Sequence, residues 1–303
     1  MVCDGVKLIR LAANGIEFEI ATLGAGDRLA LCLHGFPEHA HSWRFQMKLL
    51  AKLGYCVWAP NLRGYGGTAS PRSVAAYGIA TLVEDVLALI AAAGARETLL
   101  LAHDWGAVLA WTIALDHPDR ISRLVIMNVP HPARFAAEFW RSGQFLRSWY
   151  IFFFQLPALP EYLLGRNGAA ALARALRSST RHPECFTDAD LDIYRQNALR
   201  PGGLTAMINW YRALARSGGL RRRRYPPIEV PTLMLWGDAD VALDIRTALG
   251  TEAYVRNLTF RRLEGVSHWV QQEAPESVNA MLEAWLTDRP VPEYRETLAA
   301  DQT

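Results

Sequence analysis

The sequence predicts an α/β protein, with a mostly parallel central sheet flanked by helices and interrupted by an inserted helical cap. Three observations carry this reading. Short continuous apolar runs alternate with helix-period segments up to Pro130, the pattern of repeated βα units. The alternation then stops, and strand patterns return only at Thr232. Finally, 303 residues that are 51% apolar can bury one large core carrying an insertion.

In chain order, Gly15–Leu23 reads as an additional antiparallel edge strand. Leu29–His34, Tyr55–Ala59, Thr98–Ala102 and Arg123–Met127 are short, uninterrupted and bounded by turn residues, as buried parallel strands are. Trp43–Leu53, Thr81–Ala93 and Trp105–His117 have helical spacing, which implies right-handed crossovers between the strands. From His131 to Arg224 no strand is expected. Nine of the twenty residues from Phe135 to Phe154 are aromatic, and residues 131–224 hold 15 Arg against 6 acids, a balance of +9 that leaves −7 elsewhere. Tyr225-Pro226-Pro227 marks the exit. Strands resume at Thr232–Trp236 and Leu258–Leu263, and a last helix runs from Pro275 to about Leu286. The expected organisation is a core of residues 1–130 and 225–303 around a helical cap of residues 131–224, with a polar tail from Glu293.

Composition excludes several classes. With 32 Lys plus Arg against 30 Asp plus Glu, the net charge of +2 gives no electrostatic case for nucleic acid. The apolar content is too high for disorder. No run of 18 apolar residues could span a bilayer, and Asp4, Lys7 and Arg10 interrupt any signal-peptide core. The expectation is a cytoplasmic protein with a small-molecule partner, and neither nucleic acid nor membrane as a partner. The arginine run at 221–224 is read as solvating the exit of the insertion. The basic, aromatic-rich cap offers a surface for a homodimer contact. Four widely spaced cysteines without a C-x-x-C read as reduced thiols, and His39 and His41 lack the companions of a metal site.

The chemistry gathers at strand ends, where loops of a parallel sheet meet. Leu101-Ala102-His103-Asp104-Trp105-Gly106-Ala107 passes from a buried strand straight into a helix. A central residue flanked by small ones is the pattern of a nucleophile elbow. Here that residue is Asp104. A serine attacking a saturated carbon would leave an ether that water cannot cleave, whereas a carboxylate leaves an ester whose carbonyl can be attacked in turn. Asp104 therefore points to displacement at an sp³ carbon through an alkyl-enzyme ester. An Asp before a helix is also a common N-cap, but capping does not account for Ala102 and Gly106 on either side. His34-Gly35-Phe36-Pro37-Glu38 follows another strand, and the amides of Phe36 and Trp105 are the expected oxyanion hole. His268, in Gly265-Val266-Ser267-His268-Trp269, comes last in chain order and is the expected general base. Asp240 is the preferred acid to orient it, with Asp238 the rival.

These residues resemble an epoxide hydrolase of the α/β-hydrolase superfamily over nearly the whole chain. The resemblance rests on His34-Gly-Phe-Pro-Glu38, Arg63-Gly-Tyr-Gly-Gly-Thr68, His103-Asp-Trp-Gly106, the Trp-Gly-x-x-Asp segment ending at Asp240, and Gly-x-Ser-His268-Trp. Two cap segments extend it: Tyr150-Ile-Phe-Phe-Phe-Gln155 and Asn209-Trp-Tyr-Arg212. It implies that Tyr150 and Tyr211 donate hydrogen bonds to the epoxide oxygen, that a vicinal diol is the product, and that no cofactor or metal is needed. The aromatic run before Phe154 suggests an apolar, aryl-type epoxide. Ala102 departs from the glycine usual in the family, and no acid follows the strand ending at Met127, which favours Asp240. The elbow and histidine motifs are shared with haloalkane and haloacid dehalogenases, the alternative reading. Against it, Phe36 offers no halide donor, and the arginine positions of fluoroacetate dehalogenases hold Trp105 and Val108. A non-catalytic ligand receptor on the same fold is a third reading.

Overall fold

The computed structural model describes residues 5–217 and 224–294. Its eight strands are β1 (Lys7–Ala13), β2 (Ile16–Leu23), β3 (Arg28–Leu33), β4 (Cys56–Pro60), β5 (Glu97–His103), β6 (Arg123–Met127), β7 (Thr232–Gly237) and β8 (Leu258–Leu263). They form one sheet in the order β1-β2-β4-β3-β5-β6-β7-β8. The β1–β2 and β2–β4 pairs are antiparallel and all others parallel. One expectation needs correction: Gly15–Leu23 reads as an edge strand, yet β2 is the second strand in, because β1 covers it. β1 lies outside the expected strands: its Ile9, Leu11 and Ala13 pack against Phe18, Ile20 and Leu89, while apolar Leu8 and Ala12 on the exposed face blur the alternation.

The inner strands are buried on both faces, which explains their uninterrupted apolar runs. Successive side chains point to opposite faces. Leu99 and Leu101 of β5 enter one core with Val125, Leu233 and Leu235, while Leu100 and Ala102 enter the other with Leu124, Ile126 and Met234. Helices α1 (Arg44–Lys52), α10 (Val270–Glu273) and α11 (Pro275–Leu286) cover the first face; α2 (Ile79–Ala93) and α3 (Trp105–Asp116) cover the second. Helix α3 is apolar nearly all round, as befits a helix enclosed on every side.

Between β6 and β7 lie only helices among the described residues: α4 (Pro132–Glu138), α5 (Gln144–Arg147), α6 (Trp149–Phe153), α7 (Leu159–Ser178), α8 (Asp188–Leu199) and α9 (Gly203–Arg216). The α7 helix breaks its helical dihedrals at residues 166–169. Thr187 and Asp190 form a reciprocal capping box at the start of α8. Trp210, Tyr211, Leu172 and Leu204 join the core on the α3 side, so the insertion folds over that face. Cys32, Cys56 and Cys185 are free thiols. Cys3 and Arg221–Arg223 lie outside the described residues. Among the described residues no helix is long and apolar enough to cross a membrane.

Candidate active site

Strand β5 delivers Asp104 into a backbone conformation of φ 47° and ψ −123°. That is the first central position of a type II′ turn, a place where glycine is at ease and an L side chain is strained. The surroundings hold it there. The Gly106 N–H donates to the His34 carbonyl at 3.0 Å, and the Ala107 and Val108 N–H groups donate to the Asp104 carbonyl at 2.9 and 3.1 Å. Two glycines are required by contact: a Cβ on Gly35 would stand 2.2 Å from Asp104 Oδ1, and one on Gly106 would stand 2.3 Å from the Leu33 carbonyl oxygen. The Asp104 side chain makes no capping bond to α3. Its Oδ1 instead accepts from the Phe36 N–H at 2.6 Å. The Trp105 amide opens α3, where a first-turn N–H has no intrahelical acceptor.

His268 lies across from this carboxylate, its Nε2 3.7 Å from Asp104 Oδ2. Its Nδ1 is 2.6 Å from Asp240 Oδ2. Asp240 is held in turn by the Ala242 and Leu243 N–H groups on Oδ1, at 2.7 and 2.9 Å, and by Asn128 Nδ2 on Oδ2, at 2.8 Å. Asp238 turns the other way, accepting from Arg262 at 2.6 Å and from the Gly265 amide at 2.8 Å. Burial pulls the His268 pKa down, but the facing carboxylates of Asp240 and Asp104 outweigh it and raise it to about 10. Asp104 is held below the usual carboxylate range: burial opposes this, and His268 with the Phe36 amide prevails. An imidazolium therefore faces two carboxylates in the resting protein. Removing one charge should release it: in Asp104→Asn the His268 pKa is expected to fall clearly below its wild-type value, read by NMR titration of the imidazole resonances. A wild-type value in the variant would show that Asp240 alone holds the proton.

The two cap tyrosines come from different helices and meet. The Tyr150 ring (α6) and the Tyr211 ring (α9) lie 5.8 Å apart edge to face. Tyr211 also packs on Trp105 at 5.0 Å and on Phe36 at 5.4 Å, which places it over the elbow and its neighbouring loop. Burial, reinforced by the negative charge of Asp104, raises both phenol pKa values, so both hydroxyls stay protonated. Gln155 and Arg212 fix the pair. Gln155 Nε2 donates to the Tyr211 carbonyl at 3.3 Å and to the Ile151 carbonyl at 2.8 Å. The Arg212 guanidinium donates to the Phe154 and Leu156 carbonyls and to the carboxylate of Glu161.

Three further residues support the site in ways their motifs do not foretell. Asn128, which stands after β6 where no acid follows, grips both Asp240 and Gly237. Glu38 and His103 are fully buried, with Glu38 Oε2 2.8 Å from His103 Nδ1. His103 Nε2 reaches the His268 carbonyl oxygen at 2.9 Å, and Gln272 Nε2 donates to Glu38 Oε1 at 2.5 Å. One buried polar chain thus links the elbow strand to the loop that carries His268. A charged or polar residue fixed inside each motif was the available signal, since such groups are buried only with partners.

The sheet order, the strained aspartate at a strand–helix turn and the facing histidine define an α/β hydrolase. Residues 31–275 match the family described as alpha/beta hydrolase fold. The AB hydrolase superfamily protein YfhM of Bacillus subtilis is 37% identical over 94% of this chain and 100% of its own length. Epoxide hydrolase 2 of Caenorhabditis elegans is 36% identical over 89% of this chain and 77% of its own. Among solved structures, a mutant epoxide hydrolase from Bacillus megaterium, complexed with its product (R)-3-[1]naphthyloxy-propane-1,2-diol, superposes with a TM-score of 0.83. It is 29% identical over 92% of this chain and 100% of its own. The chain belongs to the α/β-hydrolase fold family and, within it, to the epoxide hydrolases.

Proposed function

We propose that this chain hydrolyses an apolar epoxide to a vicinal diol through an ester on Asp104, with residues 131–224 forming the cap over the site and the cytoplasm as its setting. The observation that carries the reading is the meeting of Tyr150 and Tyr211 over the elbow that bears Asp104. A halide leaving group needs no proton, whereas an epoxide oxygen stays attached as an alkoxide and needs one. Two neutral phenols supply donors without bringing charge into an apolar pocket. The relatives and structural neighbours likewise favour an epoxide over the dehalogenase alternative. The aryl diol in the Bacillus megaterium enzyme is in keeping with the aromatic lining here.

The geometry suggests which atom does what. Asp104 Oδ1 is already engaged by the Phe36 amide, so Oδ2 attacks the ring carbon while the phenols hold the ring oxygen. Ring opening converts the carboxylate to a neutral ester. Burial and the Asp104 charge together raised the phenol pKa values, and Asp104 added to Asp240 in raising that of His268. With the Asp104 charge gone, a phenol gives its proton to the forming alkoxide and the His268 proton passes to the phenolate left behind. Neutral His268, oriented by Asp240, then takes a proton from water attacking the ester carbonyl. The Phe36 and Trp105 amides stabilise the oxyanion on Oδ1. As the oxyanion collapses, the leaving diol oxygen takes the proton of the new carboxyl group, and the Asp104 carboxylate again faces protonated His268.

A single turnover in heavy-oxygen water tests the route. The label should enter the Asp104 peptide and be missing from the first diol; label in the first diol alone would mean direct attack by water. Tyr150→Phe and Tyr211→Phe should each slow ester formation by about 10²-fold, the scale of one lost oxyanion donor, in rapid-quench measurements. Wild-type rates in both variants would remove the phenols from the mechanism.

A further inference from the structure

The first part of the insertion presents an apolar face to solvent. Trp140, Leu146, Trp149, Phe152, Leu156 and Tyr162 are each between 45 and 66% exposed. Leu146 on α5 and Trp149 and Phe152 on α6 recur every three residues, and Leu156 follows just beyond α6. Helix α6 is thus two-sided: Trp149 and Phe152 face outward, while Tyr150 packs on Tyr211. A group of this size on one face marks an interaction surface rather than scattered exposure.

The charge around it is of one sign. Between residues 136 and 168 the exposed charged side chains are Arg141, Arg147 and Arg166, of which Arg147 is held by Asp244 and the Asp240 carbonyl. The two acids in that stretch are less exposed and engaged, Glu138 with Arg134 and Glu161 with Arg212. A second copy docked face to face would bring two arginine-rimmed faces together, like charge toward like charge, because a two-fold contact uses the same patch on both subunits. Aromatic and leucine side chains rimmed by arginine suit the headgroup boundary of an anionic bilayer.

We propose that this face docks peripherally on an anionic lipid surface, with Trp140, Trp149 and Phe152 entering the interface and Arg141 and Arg166 pairing with lipid phosphates. The expectation of no membrane partner rests on the lack of an 18-residue apolar run, which concerns spanning a bilayer and not docking on one, and the net charge of +2 averages the +9 of residues 131–224 against the −7 of the rest. Docking would bring the outer side of the α6 wall against the phase in which apolar epoxides dissolve.

Cosedimentation with vesicles of phosphatidylcholine, alone or with about 30 mol % phosphatidylglycerol, tests this at low and high salt. Binding should require phosphatidylglycerol and weaken with salt. It should fall about tenfold or more in Trp140→Ser/Trp149→Ser and, independently, in Arg141→Glu/Arg166→Glu. Unchanged melting curves would show that both variants fold. No binding to either vesicle, equal binding to both, or full binding by both variants would overturn the proposal. So would a lipid-free dimer by light scattering that Trp140→Ser/Trp149→Ser converts to monomer, since a second copy would then own the face.

Discussion

Asp104→Ala should form no measurable diol, a loss in kcat of at least about 10⁴-fold, the scale on which an enzyme loses its nucleophile. The panel should include aryl and alkyl epoxides, with product followed by chromatography. The structure explains why no neighbour can substitute. Asp240 is bound by two amides, Asn128 and His268, and Glu38 is locked to His103 and Gln272. Of these three carboxylates, Asp104 alone is partly exposed, and it sits on the strained turn between β5 and α3. Because alanine is itself strained at φ 47°, Asp104→Gly is the better-folded companion, and it should be equally inactive. Appreciable turnover in either variant would mean that His268 and the phenols suffice to drive water onto the ring.

His268→Gln should separate the two halves of the reaction. Ring opening needs the Asp104 carboxylate and the phenols, all of which remain. Ester hydrolysis needs a base, and the variant lacks one. One equivalent of epoxide should be consumed rapidly, the protein mass should rise by that of the epoxide, and steady-state turnover should fall by about 10²–10⁴-fold, the usual contribution of a general base. A variant that turns over normally, or that never gains mass, would refute the assignment of His268 to the second step.

Much of this was legible in the sequence because it rests on local rules. Buried parallel strands must be short and apolar, so β3 to β7 stand out by composition, and the final helix Pro275–Leu286 has the bounds its pattern suggests. The elbow is legible because Gly106 beside Asp104 is demanded by contact: a Cβ there would overlap the Leu33 backbone. What escaped depends on distant partners. β1 hides its alternation, because apolar Leu8 and Ala12 stand on its exposed face. Asp238 and Asp240 are equivalent on paper, and only the fold shows one facing His268 and the other facing Arg262. Nothing local says that Asn128 will reach Asp240 across the β6–β7 pair, or that Glu38 and His103 will meet across 65 residues of chain.

The pairing of β6 with β7 has a consequence for biosynthesis. Leu124 to Met127 form their ladder with residues that follow Thr232, so the insertion leaves the ribosome before the partner strand does. At about 5–20 residues per second, the fully apolar Leu-Val-Ile-Met edge of the nascent sheet waits on the order of ten seconds for its neighbour. Unpaired apolar edges are templates for wrong pairing. For that interval the emerging chain depends on chaperones, or on early collapse of the helical insertion, to shield β6. The helices between β6 and β7 are thus what delays completion of the sheet.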